Sequence, residues 1–299
     1  MTRFLQYLFD GLSSGAIYAL LALGLVIIFR GTSHLNFAQG ELAMLSAFFA
    51  WWLNESGLPF WFTVLLSAVF GFAIATLVEH FIIRPIGRRS TFAVGVALIG
   101  LFLGINSLAP FAWKVTIPEQ VPSLFPNAPD DFVRIGGATW RIVAIGNLVV
   151  TLAVAGLLFV LFQRTKLGLA MRAVASNPDN APLTGIKVGR VLMVSWGLAA
   201  FVGAVGGGLV ASQNGQVEST MMFTIFFSAT AAAMLGGFDS LLGAVVAGLL
   251  LGVLENTVAG YQPELIGQEL RGTVSLIVIL VVLLVRPSGL FGSARVERV

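Results

Sequence analysis

The chain has 299 residues, of which 57% are hydrophobic and 10% are charged, and its mean hydropathy is +0.93. Soluble domains carry about a quarter charged residues, so this composition excludes a water-soluble globular protein. The net charge of +3 does not indicate a nucleic-acid partner, and the absence of cysteine excludes disulfides and thiolate metal sites.

Long, continuous apolar runs predict an all-α, polytopic membrane protein, because an outer-membrane barrel would show short segments of alternating polarity. The first run follows Asp10 and has the character of a retained span, not of a cleaved signal. The second and seventh spans are the shortest, so we expect a bundle of about 8–9 transmembrane helices. In chain order the spans are predicted at 11–29, 37–53, 60–83, 91–112, 142–163, 191–212, 222–238, 240–259 and 272–286.

A polar segment, GTSHLNFAQGELAML, interrupts this apolar pattern at 31–45. Irregular backbone at membrane depth is tolerated only where protein or a water-filled cavity satisfies its polar groups, so we predict a broken helix here. Two roles remain open for the polar and small residues of the segment. They satisfy the broken backbone, or they line a transport pathway; these residues are Asn36, Gln39, Gly40 and Glu41.

The distribution of Lys and Arg predicts the orientation, because cytoplasmic loops carry an excess of these residues. Basic residues collect at 84–89, in the loop 164–190 and at 286–298, so these regions and the C-terminus are predicted to be cytoplasmic. The proline-rich stretch 113–141 is then the largest outer loop. The whole chain, 1–299, is interpreted as one membrane domain.

The cytoplasmic loop contains two short segments of interest. The first, LGLAMRAVA, is amphipathic and includes Arg172. The second begins at Ser176 and Asn177, either of which can cap a helix, and Pro178 suits a first helical turn. Gly185 can end that turn. Such a helix under the membrane suits the transmission of force from a cytoplasmic partner, and an ordinary solvated loop is the alternative.

Glycine is abundant, with 34 residues, and several of these glycines are four residues apart. Small residues allow helices to approach closely in lipid, so tight helix packing is predicted at each group, with hinge points as the alternative. The groups are Gly11 with Gly15, Gly100 with Gly104, Gly248 with Gly252, and the cluster Gly203, Gly206, Gly207 and Gly208.

The sequence offers no catalytic residues and no metal ligands. A phosphate-binding loop needs a lysine after a glycine, and Lys114, Lys166 and Lys187 all follow other residues. Ion coupling usually needs ionisable residues in mid-membrane. Of the few acids near apolar runs, Glu79 and Glu255 are predicted at the interfaces, and Glu41 is the most buried candidate.

The sequence resembles the integral-membrane permease subunits of bacterial ABC importers for branched-chain amino acids. The resemblance covers nearly the whole chain. It rests on GLSSGAIYALLALGLVIIFRG (11–31), LNFAQGELAML (35–45), TKLGLAMRAVASNPDNAPLTGI (165–186), GGFDSLLGAVVAGLLLGVLE (236–255) and RPSGLFG (286–292).

The resemblance implies a subunit that forms the pathway for branched-chain amino acids in the bacterial inner membrane. It implies a second, related permease subunit, two cytoplasmic ATPase subunits and an extracytoplasmic substrate-binding protein. ATP would be bound by the ATPases, with no cofactor in this chain. The ATPase-coupling loop would then include Arg172, Ala175, Asn177, Pro178, Asp179, Ala181, Leu183 and Gly185.

One position departs from the family pattern. Relatives often have histidine where this chain has Gln39, and only histidine titrates near neutral pH, so a proton-linked role here is not expected. The family also includes permeases for urea and other small polar solutes, which are the first alternative. An ion-coupled secondary transporter ranks after them because the chain is poor in buried ionisable pairs.

Overall fold

The computed structural model describes residues 2–87, 89–115, 117–177, 180–262 and 270–292. A π-helical turn spans Glu79–Ile83, between the helices Phe60–Val78 and Arg84–Gly87, and a 3-10 turn spans Ala181–Thr184. The short strands are β1 (Glu119–Gln120), β2 (Phe132–Ile135), β3 (Ala138–Arg141) and β4 (Gln216–Val217). The helices are α1 (Thr2–Thr32), α2 (Gln39–Glu55), α3 (Phe60–Val78), α4 (Arg84–Gly87), α5 (Thr91–Trp113), α6 (Ile142–Arg164), α7 (Lys166–Ser176), α8 (Val188–Asn214), α9 (Phe223–Gly236), α10 (Leu241–Tyr261) and α11 (Leu270–Val285).

The described residues form an all-α fold of the membrane class, and each predicted span coincides with a helix. Six helices of the described ranges are both long and apolar enough to cross a membrane. Two further apolar helices, at Phe223–Gly236 and Gly272–Val285, are shorter, so the expected number of about 8–9 spans stays a prediction. The six are at Thr2–Thr32, Phe60–Gly87, Thr91–Trp113, Ile142–Arg164, Val188–Asn214 and Leu241–Tyr261.

The chain divides into two compact units. The first unit comprises Met1–Val26, Pro126–Ala155 and Thr224–Val299. The second comprises Ile27–Phe125 and Gly156–Phe223.

In the second unit, α2, α3 and α8 pack against one another through small residues. A Cβ added at Gly207 of α8 would overlap the carbonyl of Ala43 on α2. One added at Gly71 of α3 would lie 2.7 Å from Ser46 Oγ. The predicted packing role of the glycine cluster near 203–208 is therefore confirmed for Gly207, because only a hydrogen at Cα permits this approach.

Helix α5 also belongs to the second unit, and much of its surface is exposed and apolar. Phe92 is 82% and Phe111 is 81% exposed, as expected of side chains that face lipid. The packing predicted for Gly100 and Gly104 is wrong within the described residues, since a Cβ at either would meet no atom within 4 Å. Their spacing places them on the outer face of α5, where no described helix covers them.

In the first unit, α1 and α10 approach closely along two matched pairs of glycines. A Cβ at Gly11 would lie 2.5 Å from Val253 Cα, and one at Gly15 would lie 2.7 Å from Leu249 Cα. Gly248 and Gly252 of α10 are equally close to the α1 backbone. The tight packing predicted for both pairs is confirmed.

The RPSGLFG segment folds back onto the end of α9, also in the first unit. Leu290 N donates to Leu235 O at 2.7 Å, and Phe291 N donates to Gly236 O at 3.1 Å. Gly289 has a φ of +77°, in the left-handed region where glycine is strongly favoured. Two of the sequence stretches singled out above, 236–255 and 286–292, therefore meet in space.

The stretch 113–141, expected to be a loop, contains regular structure that the sequence did not indicate. Strands β2 and β3 form an antiparallel hairpin in which Phe132 pairs with Arg141. Its turn residues, Gly136 and Gly137, both have positive φ, which suits a tight two-residue hairpin turn. Within the second unit, β1 pairs with β4, with Glu119 opposite Val217.

Candidate functional site

The helix predicted to break at 31–45 is interrupted between the end of α1 at Thr32 and the start of α2 at Gln39. Ser33 is in the left-handed region, with a φ of +55°, immediately after α1 ends. A non-glycine residue in this conformation is uncommon and marks a sharp change of chain direction. The break lies wholly within the second unit.

Asn36 and Gln39 are both fully buried. Their side chains form hydrogen bonds within the broken segment and between this segment and α8. Asn36 Oδ1 accepts from Ala38 N at 3.1 Å, and its Nδ2 donates to Gln39 Oε1 at 3.4 Å. Gln39 Nε2 donates to the carbonyl of Ala199 at 2.9 Å. Gly203 leaves room for this amide, since a Cβ there would lie 2.9 Å from Gln39 Nε2. These contacts favour the structural role for the two amides.

Glu41 lies in the first turn of α2 and is 2% exposed. Asn106 of α5 donates from Nδ2 to Glu41 Oε2 at 3.0 Å and also contacts the carbonyl of Ser219 at 3.0 Å. A carboxylate near a helix N-terminus is favoured by the backbone dipoles. Asn106 is the one side chain among the described residues that donates to the Glu41 carboxylate. The carboxylate therefore keeps more unused acceptor capacity than the side-chain amides of Asn36 and Gln39 do.

Asn106 is a site residue that the sequence interpretation missed. It is an amide within the long apolar run of α5, and polar residues inside such runs commonly mark functional or packing positions. Its partners are 65 and 113 residues distant in sequence, so no local pattern pairs them.

The amphipathic segment around Arg172 forms α7. Thr165 caps the helix by accepting from Gly168 N at 3.1 Å. Gly168 lies so close to the backbone of α6 that an added Cβ would overlap the carbonyl of Leu161. Arg172 Nη1 donates to Gln163 Oε1 at 2.8 Å, which joins α7 to the end of α6 a second time.

The short helix predicted to begin at Ser176 or Asn177 and to end at Gly185 is described only in part, and its described residues form a shorter element. α7 continues to Ser176, and Asn177 follows in an extended conformation; among the described residues between Asn177 and Gly185, the helical element is the 3-10 turn Ala181–Thr184. Gly185 ends this turn in the left-handed region with a φ of +80°, as the sequence predicted. Pro182 lacks a backbone N–H and Gly185 ends the element in the left-handed region, which limits this described element to a single turn. Pro178 and Asp179 lie outside the described residues.

The predicted coupling residues differ in exposure. Arg172 and Ala175 are half-buried on α7, and Ala181 is buried. Asn177, Leu183 and Gly185 are exposed, and Leu183 reaches 85%. The exposed Leu183 is a side chain that a protein partner could cover.

Glu255 is a second buried acid, in the first unit, and it was expected at an interface. Glu255 is 1% exposed and Glu41 is 2% exposed, so the prediction that Glu41 is the most buried acid is wrong. Tyr18 donates to Oε2 at 2.7 Å, Ser228 donates to Oε1 at 2.9 Å, and Ser275 also contacts Oε1. These four residues connect α1, α9, α10 and α11.

Glu79 is likewise buried, at 2% exposed, in the second unit. Arg84 binds it through two parallel hydrogen bonds, of 3.0 Å from Nε and 2.6 Å from Nη2. Arg84 Nη2 also donates to Gly189 O of α8 at 2.5 Å. The paired charges fix the end of α3 against the start of α8.

The long apolar helices, their glycine contacts and the broken polar segment define a multi-pass membrane protein. The chain belongs to the family described as "Branched-chain amino acid transport system / permease component", whose model matches residues 7–283.

Two of the relatives described here align with nearly the whole chain, and a third aligns with about two thirds of it. It is 27% identical to a high-affinity branched-chain amino acid transport system permease protein of Pseudomonas aeruginosa, over 99% of this chain and 98% of the relative. It is 29% identical to a probable branched-chain amino acid transport permease protein of Methanocaldococcus jannaschii, over 92% and 89%. A galactose/methyl galactoside import permease protein of Escherichia coli is 27% identical over 68% of this chain and 57% of the relative. These relatives are transport permeases and not enzymes.

Proposed function

We propose that this chain is the permease subunit of an ABC importer and forms the translocation pathway for branched-chain amino acids. The observation that supports this most is the match of the family over residues 7–283, together with relatives of nearly equal length that are described as branched-chain amino acid permeases.

The proposed importer has separate subunits for energy and for substrate capture. Two cytoplasmic ATPase subunits bind ATP, a second related permease completes the pathway, and an extracytoplasmic binding protein delivers the amino acid. No ATP or other cofactor binds this chain. The protein lies in the bacterial inner membrane with about 8–9 spans and a cytoplasmic C-terminus.

The ATPases act on the loop 164–190. The exposed side chain of Leu183 and the turn that Gly185 closes supply the contact surface. The buried Ala181 and the bond from Arg172 to Gln163 transmit movement to α6, α7 and α8. The proposed coupling residues are Arg172, Ala175, Asn177, Pro178, Asp179, Ala181, Leu183 and Gly185.

The broken segment supports the pathway. Asn36 and Gln39 fix the conformation of the break through their hydrogen bonds. We assign the buried Gly40 of α2 to the same supporting role. Glu41 is the residue of this segment that we assign to the pathway, because a carboxylate with acceptor capacity can contact the ammonium group of an amino acid.

A second substrate class is favoured by one observation. The galactose/methyl galactoside permease of Escherichia coli matches 68% of this chain at nearly the same identity as the amino acid permeases. Urea and other small polar solutes are further alternatives within the family.

Substrate competition in whole cells distinguishes these possibilities. Cells that lack their own branched-chain amino acid importer would express this chain with its ATPases, partner permease and binding protein. We expect saturable uptake of labelled leucine that excess valine abolishes and excess galactose or urea leaves unchanged. Uptake of labelled galactose or urea, with none of leucine, would contradict the amino acid assignment.

A further inference from the structure

Asn106 lies well inside the apolar helix α5 and not at either of its ends. At a rise of about 1.5 Å per residue, it is about 10 Å from the Trp113 end and about 22 Å from the Thr91 end. Bulk water does not reach a side chain at this depth of a membrane-spanning helix. Each polar atom of Asn106 therefore needs a partner in the protein, in a water-filled space or on a passing solute.

The orientation of the Asn106 amide is fixed by two acceptors. Its Nδ2 donates to Glu41 Oε2 at 3.0 Å and to the carbonyl of Ser219 at 3.0 Å. A backbone carbonyl can only accept, so the flipped amide would place Oδ1 against a second acceptor and lose both bonds. The nitrogen therefore faces Glu41 and Ser219, and the oxygen points elsewhere.

The amide oxygen of Asn106 is accessible and has no partner among the described residues. The side chain is half-buried, and no described group donates to Oδ1. Oδ1 is also not one of the fully buried polar atoms that lack a partner, so it keeps some accessible surface. An amide oxygen that faced hydrocarbon would lose all hydrogen bonding, which favours a water-filled space over lipid at this position.

Glu41 places a negative charge next to this free acceptor. Its Oε2 is 3.0 Å from Asn106 Nδ2, and no cationic side chain of the described ranges pairs with it. A carboxylate this close attracts a cation strongly where water is scarce. Asn106 and Glu41 thus present a neutral acceptor and a negative charge side by side. This combination suits a primary ammonium group, which is positively charged and only donates.

Apolar surface lies one helical turn away from this polar pair. Phe102 precedes Asn106 by one turn on the same face of α5. Its ring packs against that of Phe223, with the ring centroids 6.3 Å apart, and Phe223 is 51% exposed. A solute whose ammonium group is at Asn106 can therefore place an aliphatic side chain against these rings.

We propose that Asn106 is a substrate-contacting residue of the pathway that recognises the ammonium group of an aliphatic amino acid. Its Oδ1 accepts from the ammonium group, while its Nδ2 fixes the Glu41 carboxylate beside it. This inference rests on the proposed function and names the chemical group that is recognised. Galactose and urea are neutral, so they gain nothing from the charge of Glu41.

The absence of native cysteine permits a direct test, because a single thiol can be placed beside Asn106. Ser219→Cys changes one side-chain atom of a half-buried residue and leaves its carbonyl, the acceptor for Asn106, in place. Ser56→Cys is the matched control, at an exposed position at the other end of α2. Each variant would be assembled with its ATPases and partner permease in lipid nanodiscs and labelled with a small methanethiosulfonate reagent.

Three probes separate the groups of the substrate. L-leucine carries both charged groups, 3-methylbutylamine lacks the carboxylate, and 4-methylpentanoate lacks the ammonium group. We expect L-leucine and 3-methylbutylamine to slow the labelling of S219C on this chain, and 4-methylpentanoate to leave it unchanged. The labelling of S56C should not respond to any of the three.

Two further substitutions test the residues themselves. Adding Asn106→Leu to S219C should raise the half-protecting leucine concentration about tenfold, because a hydrogen bond to a charged group is lost. Glu41→Gln keeps an oxygen that can accept from Asn106 and removes the charge, so it should have a similar effect. The Glu41→Gln result decides alone if the Asn106→Leu chain does not fold.

Four results would count against these assignments, and they separate the site from the proposed function. Equal protection by 4-methylpentanoate, or none by 3-methylbutylamine, would show that the site does not recognise the ammonium group. Protection that neither added substitution weakens would place leucine elsewhere. An importer that carries leucine without protecting S219C would overturn this inference alone. An importer that carries only galactose or urea, while 3-methylbutylamine still protects S219C, would reject the proposed function and leave the ammonium contact standing.

Discussion

Glu255 shows how an acid is accommodated in the apolar interior of the first unit. Its three described donors are the hydroxyl groups of Tyr18, Ser228 and Ser275, which come from three other helices. Burying a carboxylate is costly unless hydrogen bonds replace its water. The cluster therefore ties α1, α9 and α11 to α10 through a single side chain.

Replacing Glu255 by leucine should destabilise the protein, because the three buried hydroxyl groups would lose their acceptor. We expect a loss of about 2–5 kcal/mol, measured as a lower temperature of thermal unfolding in detergent. Glu255→Gln keeps one acceptor oxygen and should lose less than half as much. Equal stability of Glu255→Leu and the unmodified protein would show that the cluster does not hold the helices together.

Gly207 allows a direct test of helix packing in the second unit. Gly207→Ala should lower the unfolding free energy by about 1–3 kcal/mol, because the new methyl group overlaps the Ala43 carbonyl and the helices must separate. Gly100→Ala is the matched control on α5, where no described atom lies within 4 Å. It should be neutral or slightly stabilising, since alanine favours helix over glycine. Equal effects of the two substitutions would contradict the packing account.

Sequence alone located some of these residues and missed others for a physical reason. Asn36, Gln39 and Glu41 were visible because polar residues interrupt an apolar run. Asn106 was missed because its partners are distant in the chain, and Glu255 was misplaced because burial depends on the three helices that surround it. Gly100 and Gly207 both lie in glycine-rich apolar runs, so the sequence predicts helix packing at each. Only the tertiary contacts of the described residues show that Gly207 packs against another helix and that Gly100 does not.

At the scale of elements, the helices were predictable and the short strands were not. Each predicted span coincides with a helix, because backbone groups in an apolar run have no better partners than one another. The hairpin of β2 and β3 is only four residues a strand, and its proline-rich surroundings suggested a loop. Within the described part of the helix predicted to end at Gly185, Pro182 and the left-handed Gly185 limit the element to a 3-10 turn, Ala181–Thr184.

The loop that contains the 3-10 turn is the proposed contact surface for the ATPases, and Leu183 is its most exposed apolar side chain. Leu183→Ala should reduce ATP-driven uptake by about tenfold without lowering stability, because the side chain is exposed and contacts a partner in our proposal. Leu103→Ala, at an exposed position of α5, is the matched control and should leave uptake unchanged. Uptake and membrane abundance would be measured together. Unchanged uptake in Leu183→Ala would remove this residue from the coupling surface.

At the scale of the whole molecule, composition and motif order were sufficient to place the chain in its family. High hydropathy fixed the membrane class, and the stretches from 11–31 to 286–292 occur in the order that permease subunits show. The division into two compact units was not predictable, because each unit combines segments that are distant in the chain.

The central claim is that this chain works as one subunit of an ABC importer. The most direct test is to purify the tagged full-length protein from its native membranes in mild detergent and to identify the co-purifying chains by mass spectrometry. We predict an ATPase with a phosphate-binding loop and a second, related permease. Recovery of this chain alone, folded and active in uptake without ATP, would contradict the claim and indicate a transporter that acts by itself.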